Sequence, residues 1–147
     1  MLCAEIAVGR AAKPCTETAI TRTIDPRIDE HTGPQLGRIL DIAGLQDRAR
    51  YILFRCADLY SGDDPYYETI DLIDAYHPQT IMAWALNGSD LPEGNGAPVR
   101  LRVERQLGYK HAKFVMGIEA IESFDAIGEG RGGLWEDRQN YEWYAGI

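Results

Sequence analysis

Leu36, Ile39, Leu40 and Ala43 fall at i, i+3, i+4 and i+7, one face of a helix, and Gly44 follows where helices turn into left-handed backbone. The spacing predicts a short helix over 36–43. Residues 51–55, Tyr-Ile-Leu-Phe-Arg, are a brief apolar run that predicts a buried strand. Ser61, Gly62, Asp63 and Asp64 make 57–65 a turn-rich loop before the next strand at 66–70. Asp71 caps a one- or two-turn helix through Tyr76, which Pro78 ends. A strand over 80–86 runs into Asn87-Gly88, a hairpin signal because both residues tolerate positive φ. Val99, Leu101 and Val103 alternate with Arg100, Arg102 and Glu104, so the arginines share one face of a strand. A further strand over 114–121 carries Gly117 as a bulge. The glycine-rich 128–133 reads as a flexible surface connector, and Trp135, Tyr141, Trp143 and Tyr144 after it as core or wrapping contacts. Residues 1–30 show neither period. The expected class is α+β and β-dominated, with mixed sheets and short helices, divided into an irregular segment 1–30 and a domain over 31–147.

A chain of 147 residues, 45% hydrophobic and 26% charged, is enough for one core. The longest apolar run, 81–86, falls far short of the roughly 20 residues of a membrane-spanning helix, so no transmembrane segment is expected. Residues 1–13 lack the apolar stretch of an export signal, so as it stands the chain reads as cytoplasmic, with export left open for a longer N-terminus. Three cysteines, an odd number, argue for a reducing compartment. The net charge of -8 speaks against nucleic-acid binding.

That charge is unevenly spread. Between residues 100 and 113 stand Arg100, Arg102, Arg105, Lys110 and Lys113 against one acid, Glu104. The stretch 95–100, Asn-Gly-Ala-Pro-Val-Arg, and the stretch 108–113, Gly-Tyr-Lys-His-Ala-Lys, each open with a glycine-containing loop and deliver cations within a few residues. Two such loops could close on one phosphate, Arg supplying a fork and Lys a point charge. The alternative is a solvated strand face balanced by some of the 23 acids. His111 is the better of the three histidines for an anion contact, since adjacent cations favour its neutral form with one donor. His31, His77 and His111 lack zinc-site spacing, and His77 before Pro78 reads as a cap. Cys56 reads as a small buried filler. The glycines of 128–133 lack the Lys-Ser/Thr pair of a phosphate loop.

Five motifs in order resemble the molybdopterin-binding oxidoreductases of the sulfite oxidase fold, especially bacterial members. They are Gly-Pro-Gln-Leu-Gly-Arg-Ile-Leu at 33–40, Cys-Ala-Asp at 56–58 with Pro-Tyr-Tyr-Glu-Thr-Ile at 65–70, His-Pro-Gln-Thr at 77–80, Asn-Gly-Ala-Pro-Val-Arg at 95–100, and Gly-Tyr-Lys-His-Ala-Lys at 108–113. The resemblance implies a β-dominated domain, incomplete on its N-terminal side, that holds molybdenum through a molybdopterin cofactor. It implies that Arg100, Lys110, His111 and Lys113 hold the pterin and its phosphate and that Asp58 lies near the pterin ring. Asn95 stands where sulfite oxidases proper carry His, which points away from sulfite as substrate. Family members supply a cysteine thiolate to the metal, and Cys15-Thr16-Glu17 resembles that motif, making Cys15 the candidate metal ligand, though its spacing to His31 is longer than in the family.

The function implied is oxygen-atom transfer on a small-molecule substrate, with a heme protein as electron-transfer partner. A second reading is a non-catalytic remnant that binds an anionic ligand or a protein. A third is an acidic interaction module using the aromatic tail.

Overall fold

The computed structural model describes residues 29–147 and the backbone of β1, Glu5–Ala7. Tyr51–Ser61 (β3) and Asp64–Asp71 (β4) form a long antiparallel hairpin, and Val115–Ile121 (β9) pairs with the other edge of β3. β1 adds to β9, giving one antiparallel sheet in the order β1-β9-β3-β4. His31–Thr32 (β2), Ala85–Leu86 (β6) and Ser89–Asp90 (β7) make a second small sheet, and Ile81–Ala83 (β5) pairs with Arg100–Arg102 (β8). The helices are short: Leu36–Ala43 (α1), Leu72–Ala75 (α2) and Leu134–Gln139 (α3). The expected β-dominated α+β class is what is found.

The apolar run at 51–55 is continuous because β3 is covered on both faces. Ile52 and Phe54 enter the main core with Leu36, Leu40, Ile70, Leu101, Val103 and Ile118, while Leu53 packs with Tyr67 and Leu134 on the opposite side. A strand buried on both faces has no polar face to alternate with. α1 lies where its spacing predicts, with Leu36 and Leu40 buried and the Gly44 amide donating to the Leu40 carbonyl at 2.9 Å. Asn87 and Gly88 take φ of 51° and 75° in a two-residue hairpin. The Asp71 carboxylate caps α2 through the Asp74 amide at 2.7 Å. Beside Gly117 the register of β3 against β9 slips, leaving Met116 without an opposite residue.

Four expectations need correction. Residues 57–65 are not an open loop: β3 runs to Ser61 and turns at Gly62 straight into β4. The strand expected over 80–86 is broken at Trp84, whose amide donates to the Thr32 carbonyl, so β5 and β6 join different sheets. Residues 134–139, read as tail, form α3. The segment 128–133 is held, since the Asp137 carboxylate accepts from the Glu129 and Arg131 amides and from the Tyr67 hydroxyl. Gly128 has φ 57°, and a side chain there would strike Tyr67 and Asp137. That closeness explains the glycine.

Candidate functional site

The five cations of 100–113 meet different fates. Arg102 pairs with Glu104 at 2.8 Å, and Arg105 with Asp74 at 3.2 Å. Lys110 is fully buried and its Nζ reaches Glu68 Oε1 at 2.6 Å and Glu136 Oε1 at 2.7 Å. Arg100 and Lys113 remain, and among the described residues neither has an acidic partner. Both turn to one short turn: Arg100 Nη1 donates to the Asn95 carbonyl at 3.1 Å and Lys113 Nζ to the Gly94 carbonyl at 3.4 Å. Gly96, at φ 104°, lies so close to the Lys113 stem that an added Cβ would sit 2.9 Å from Lys113 Cβ. The turn, Glu93–Asn95, and the two cations thus form one packed unit.

Burial and the Arg102 charge lower the pKa of Arg100, although its side chain stays cationic. Its Nε is buried without a hydrogen-bond partner. A buried cationic donor without an acceptor is costly unless a ligand supplies one.

Beside this unit lies a cleft of about 440 Å³ lined by Asp58, Tyr66, Tyr109, His111, Lys113 and Trp135, with Leu59, Tyr60 and Gly108 at its edge. The volume falls within the range typical of small-molecule sites. β3 contributes Asp58, β4 Tyr66, α3 Trp135, and the turn Gly108–Lys110 contributes Tyr109. The Tyr66 hydroxyl donates to the Tyr109 carbonyl at 2.7 Å, tying β4 to that turn. The rings of Tyr60 and Trp135 meet edge to face at 5.3 Å.

His111 is held by Nε2, which lies 2.8 Å from the Val103 carbonyl and 3.1 Å from the Gln106 carbonyl. Two carbonyls can only accept, so Nε2 carries the proton. Burial, and secondarily the Arg102 charge, lower the His111 pKa to about 4, so at neutral pH the ring is uncharged and Nδ1 is an acceptor. The structure therefore corrects the expected role: the single donor of His111 is spent on the backbone, and any contact through Nδ1 is with a ligand donor, not an anion. His31 behaves similarly in charge, its pKa lowered to about 4 by burial and by Arg102 and Arg100, and both of its ring nitrogens are buried without partners.

Of the residues singled out in the sequence, Asp58, His111 and Lys113 share the cleft, and Asn95 and Arg100 join Lys113 at the neighbouring turn. Lys110 does not join them, because its ammonium is enclosed by two carboxylates. Cys15 lies outside the described residues. Tyr66, Trp135, Glu68 and Glu136 went unassigned by sequence reasoning, although an acid amid Tyr66, Tyr67 and Ile70 in a strand was a signal that Glu68 needs a buried partner. Cys56 is buried, its thiol pushed up to about 12 chiefly by desolvation, so it is no nucleophile. No cluster of three or more His, Cys, Asp or Glu suited to a metal ion occurs among the described residues. No helix among them is long and apolar enough to cross a membrane.

The site is thus a cleft in a strand-rich domain beside two cations that, among the described residues, form no ion pair. Residues 27–125 match the family of oxidoreductase molybdopterin-binding domains, and the chain belongs to it. A protein-methionine-sulfoxide reductase subunit, YedZ1 of Azospira oryzae, is 34% identical over 119 residues, covering 81% of this chain and 40% of that protein. The protein-methionine-sulfoxide reductase catalytic subunit MsrP of Xanthomonas campestris pv. campestris is 33% identical, covering 76% and 36% respectively. The chain thus spans about two fifths of the length of these curated relatives. The sulfane dehydrogenase SoxCD of Paracoccus pantotrophus superposes with a TM-score of 0.58 at 22% identity, over 65% of this chain and 23% of that one, which shows the shared fold.

The residues present fit the cofactor that the family binds. A phosphate would give the Arg100 Nε the acceptor it lacks and neutralise two cations without acidic partners, while the cleft offers aromatic walls, one carboxylate and one acceptor nitrogen to a flat ring system rich in N–H groups.

Proposed function

We propose that this domain holds molybdopterin with the phosphate at Asn95, Arg100 and Lys113 and the pterin in the cleft, and that the assembled enzyme transfers an oxygen atom to or from a small-molecule substrate. When bound, the cofactor supplies two-electron chemistry at a single molybdenum. The chain's own work is positional. Arg100 and Lys113 supply charge and donors, Gly96 lets the Lys113 stem pack against the turn, and His111 Nδ1 and Asp58 accept hydrogen bonds from ring N–H groups. Tyr66, Tyr109 and Trp135 exclude water from one flank. Cys15 is proposed as the metal thiolate. The observation that carries the reading is the pair Arg100 and Lys113, which among the described residues form no ion pair, in a chain of net charge -8.

The names of the relatives favour a sulfoxide, such as oxidised methionine, as the oxygen donor, and their designation as subunits favours a separate electron-transfer partner, proposed as a heme protein. After expression alongside cofactor synthesis, metal analysis and pterin fluorescence should find about one molybdenum per chain. A folded protein with neither overturns the reading. A non-catalytic anion binder is the second reading, since Arg100 and Lys113 would hold an anion with or without turnover. Cys15→Ser separates the two: it abolishes turnover in the enzyme and leaves anion affinity unchanged in the remnant.

A further inference from the structure

Lys110, Glu68 and Glu136 form a dry cluster, their side chains no more than 1% exposed. Lys110 Nζ bridges the two Oε1 atoms and lies 5.4 Å from the centre of the Trp143 ring, and Glu68 Oε1 also accepts from the Thr69 amide at 2.9 Å. The Oε2 atoms of both glutamates are buried without partners. Gly133 packs so closely against both carboxylates that a side chain there would overlap them. Fully ionised, the cluster carries one uncompensated negative charge in the interior, which is expensive, whereas one bound proton makes it neutral.

Each member stands beside a cleft residue on its own element. Glu68 is two residues after Tyr66 on β4, Glu136 follows Trp135 on α3, and Lys110 sits between Tyr109 and His111. The cluster therefore joins three of the cleft's walls from behind. We infer that Lys110, Glu68 and Glu136 are a one-proton positioning cluster that sets the segment 108–113 in the cleft, Lys110 acting through Tyr109, His111 and Lys113 without touching the cofactor. For its effect on the cofactor this inference rests on the function proposed above.

Desolvation, and the nearby Glu136 charge against the opposing pull of Lys110, push Glu68 up to about 8. The other groups acting with this cluster are Tyr66 from β4, Cys56 from β3 and Tyr109 from the turn. The Cys56 thiol is pushed up to about 12, and burial raises both phenols further from neutrality. None of these three changes charge between pH 7 and 9, so in that window the proton leaves from Glu68.

The test begins with carbon-13 NMR of glutamate carboxyls in the full chain without cofactor. One carboxyl should titrate between pH 7 and 9 in the wild type and be missing in Glu68→Gln, and the amides of Tyr109, His111 and Lys113 should shift with the same midpoint. Glutamates that all titrate below pH 6, or amides in 108–113 that ignore the transition, overturn the inference. A second arm uses protein isolated with its pterin and dialysed at pH 7 and pH 9. The wild type should lose pterin at least fivefold faster at pH 9, and Glu68→Gln equally at both. An equal pH dependence in the two proteins overturns the inference as well. Absence of pterin from the wild type at both pH values, with the NMR transition intact, refutes the proposed function and leaves the cluster's role standing.

Discussion

Lys110 and Lys113 are three residues apart and carry the same charge, yet they end in opposite environments. Lys110 is enclosed by two carboxylates in the interior, while Lys113 is half-buried at the cleft and, among the described residues, donates to the Gly94 carbonyl alone. The difference arises in the turn Gly108–Lys110, which directs residue 110 inward, and in Gly96, whose missing side chain leaves room for the Lys113 stem. A cationic stretch therefore offers charge to a ligand only through those members that the protein leaves without an ion pair, so each cation has to be matched with its acids before it is counted.

The largest effect should come from Lys110→Met, which leaves two buried carboxylates without a cation. A loss of about 3–5 kcal/mol is expected in denaturant unfolding, and a loss under 1 kcal/mol would place Lys110 with the cleft cations after all. Arg100→Ala and Lys113→Ala should instead weaken retention of the cofactor by about 10- to 100-fold, the worth of hydrogen bonds to a charged group, with the unfolding midpoint little changed. Pterin content and thermal melts, measured side by side, separate the two classes.

Stability should also bend with pH in two directions. His111, lowered to about 4, contributes stability that is lost as pH falls from about 6.5 towards 4, because the unfolded chain takes up the proton first; this is on the order of 3 kcal/mol. Glu68, raised to about 8, contributes stability that is complete at acid pH and declines as pH rises from its unfolded value of 4.5 through 8. Urea titrations should show a maximum near pH 6. His111→Gln should reduce the acid limb, leaving the part that His31 contributes, and Glu68→Gln should flatten the alkaline one. The smallest effect belongs to Arg102→Ala, which removes a half-exposed pair with Glu104: within about 1 kcal/mol in stability and no change in pterin content.

Much of the fold was legible where local chemistry dictates it. Helix spacing located α1, Asn87-Gly88 located its hairpin, and the Asp71 cap located α2. The split at Trp84 was hidden because the apolar run is locally consistent with one strand, and only the pairing with Thr32 interrupts it. α3 was hidden because six residues show too little periodicity, and its last turn is held by contacts of Asp137 and Arg138 to Tyr67, Asp64 and Glu129 from elsewhere. Of the residues that motif order singled out, Asp58, His111 and Lys113 line one cleft, and Arg100 meets Lys113 at the turn that holds Asn95. The inward course of Lys110 was not legible, since it depends on Glu68 and Glu136, 42 and 26 residues away in sequence.

The far end of the β3–β4 hairpin meets the rest of the cleft wall through the edge-to-face contact of Tyr60 with Trp135. Asp58, Leu59 and Tyr60 lie beyond the register slip that follows Arg55, exposed, with no partner in the dry interior. Exchanging Tyr66 or Trp135 disturbs carboxylates one or two positions away, whereas Leu59, exposed at the hairpin end, can be exchanged at little cost. Variation in sequence, by evolution or by design, would find its open ground there.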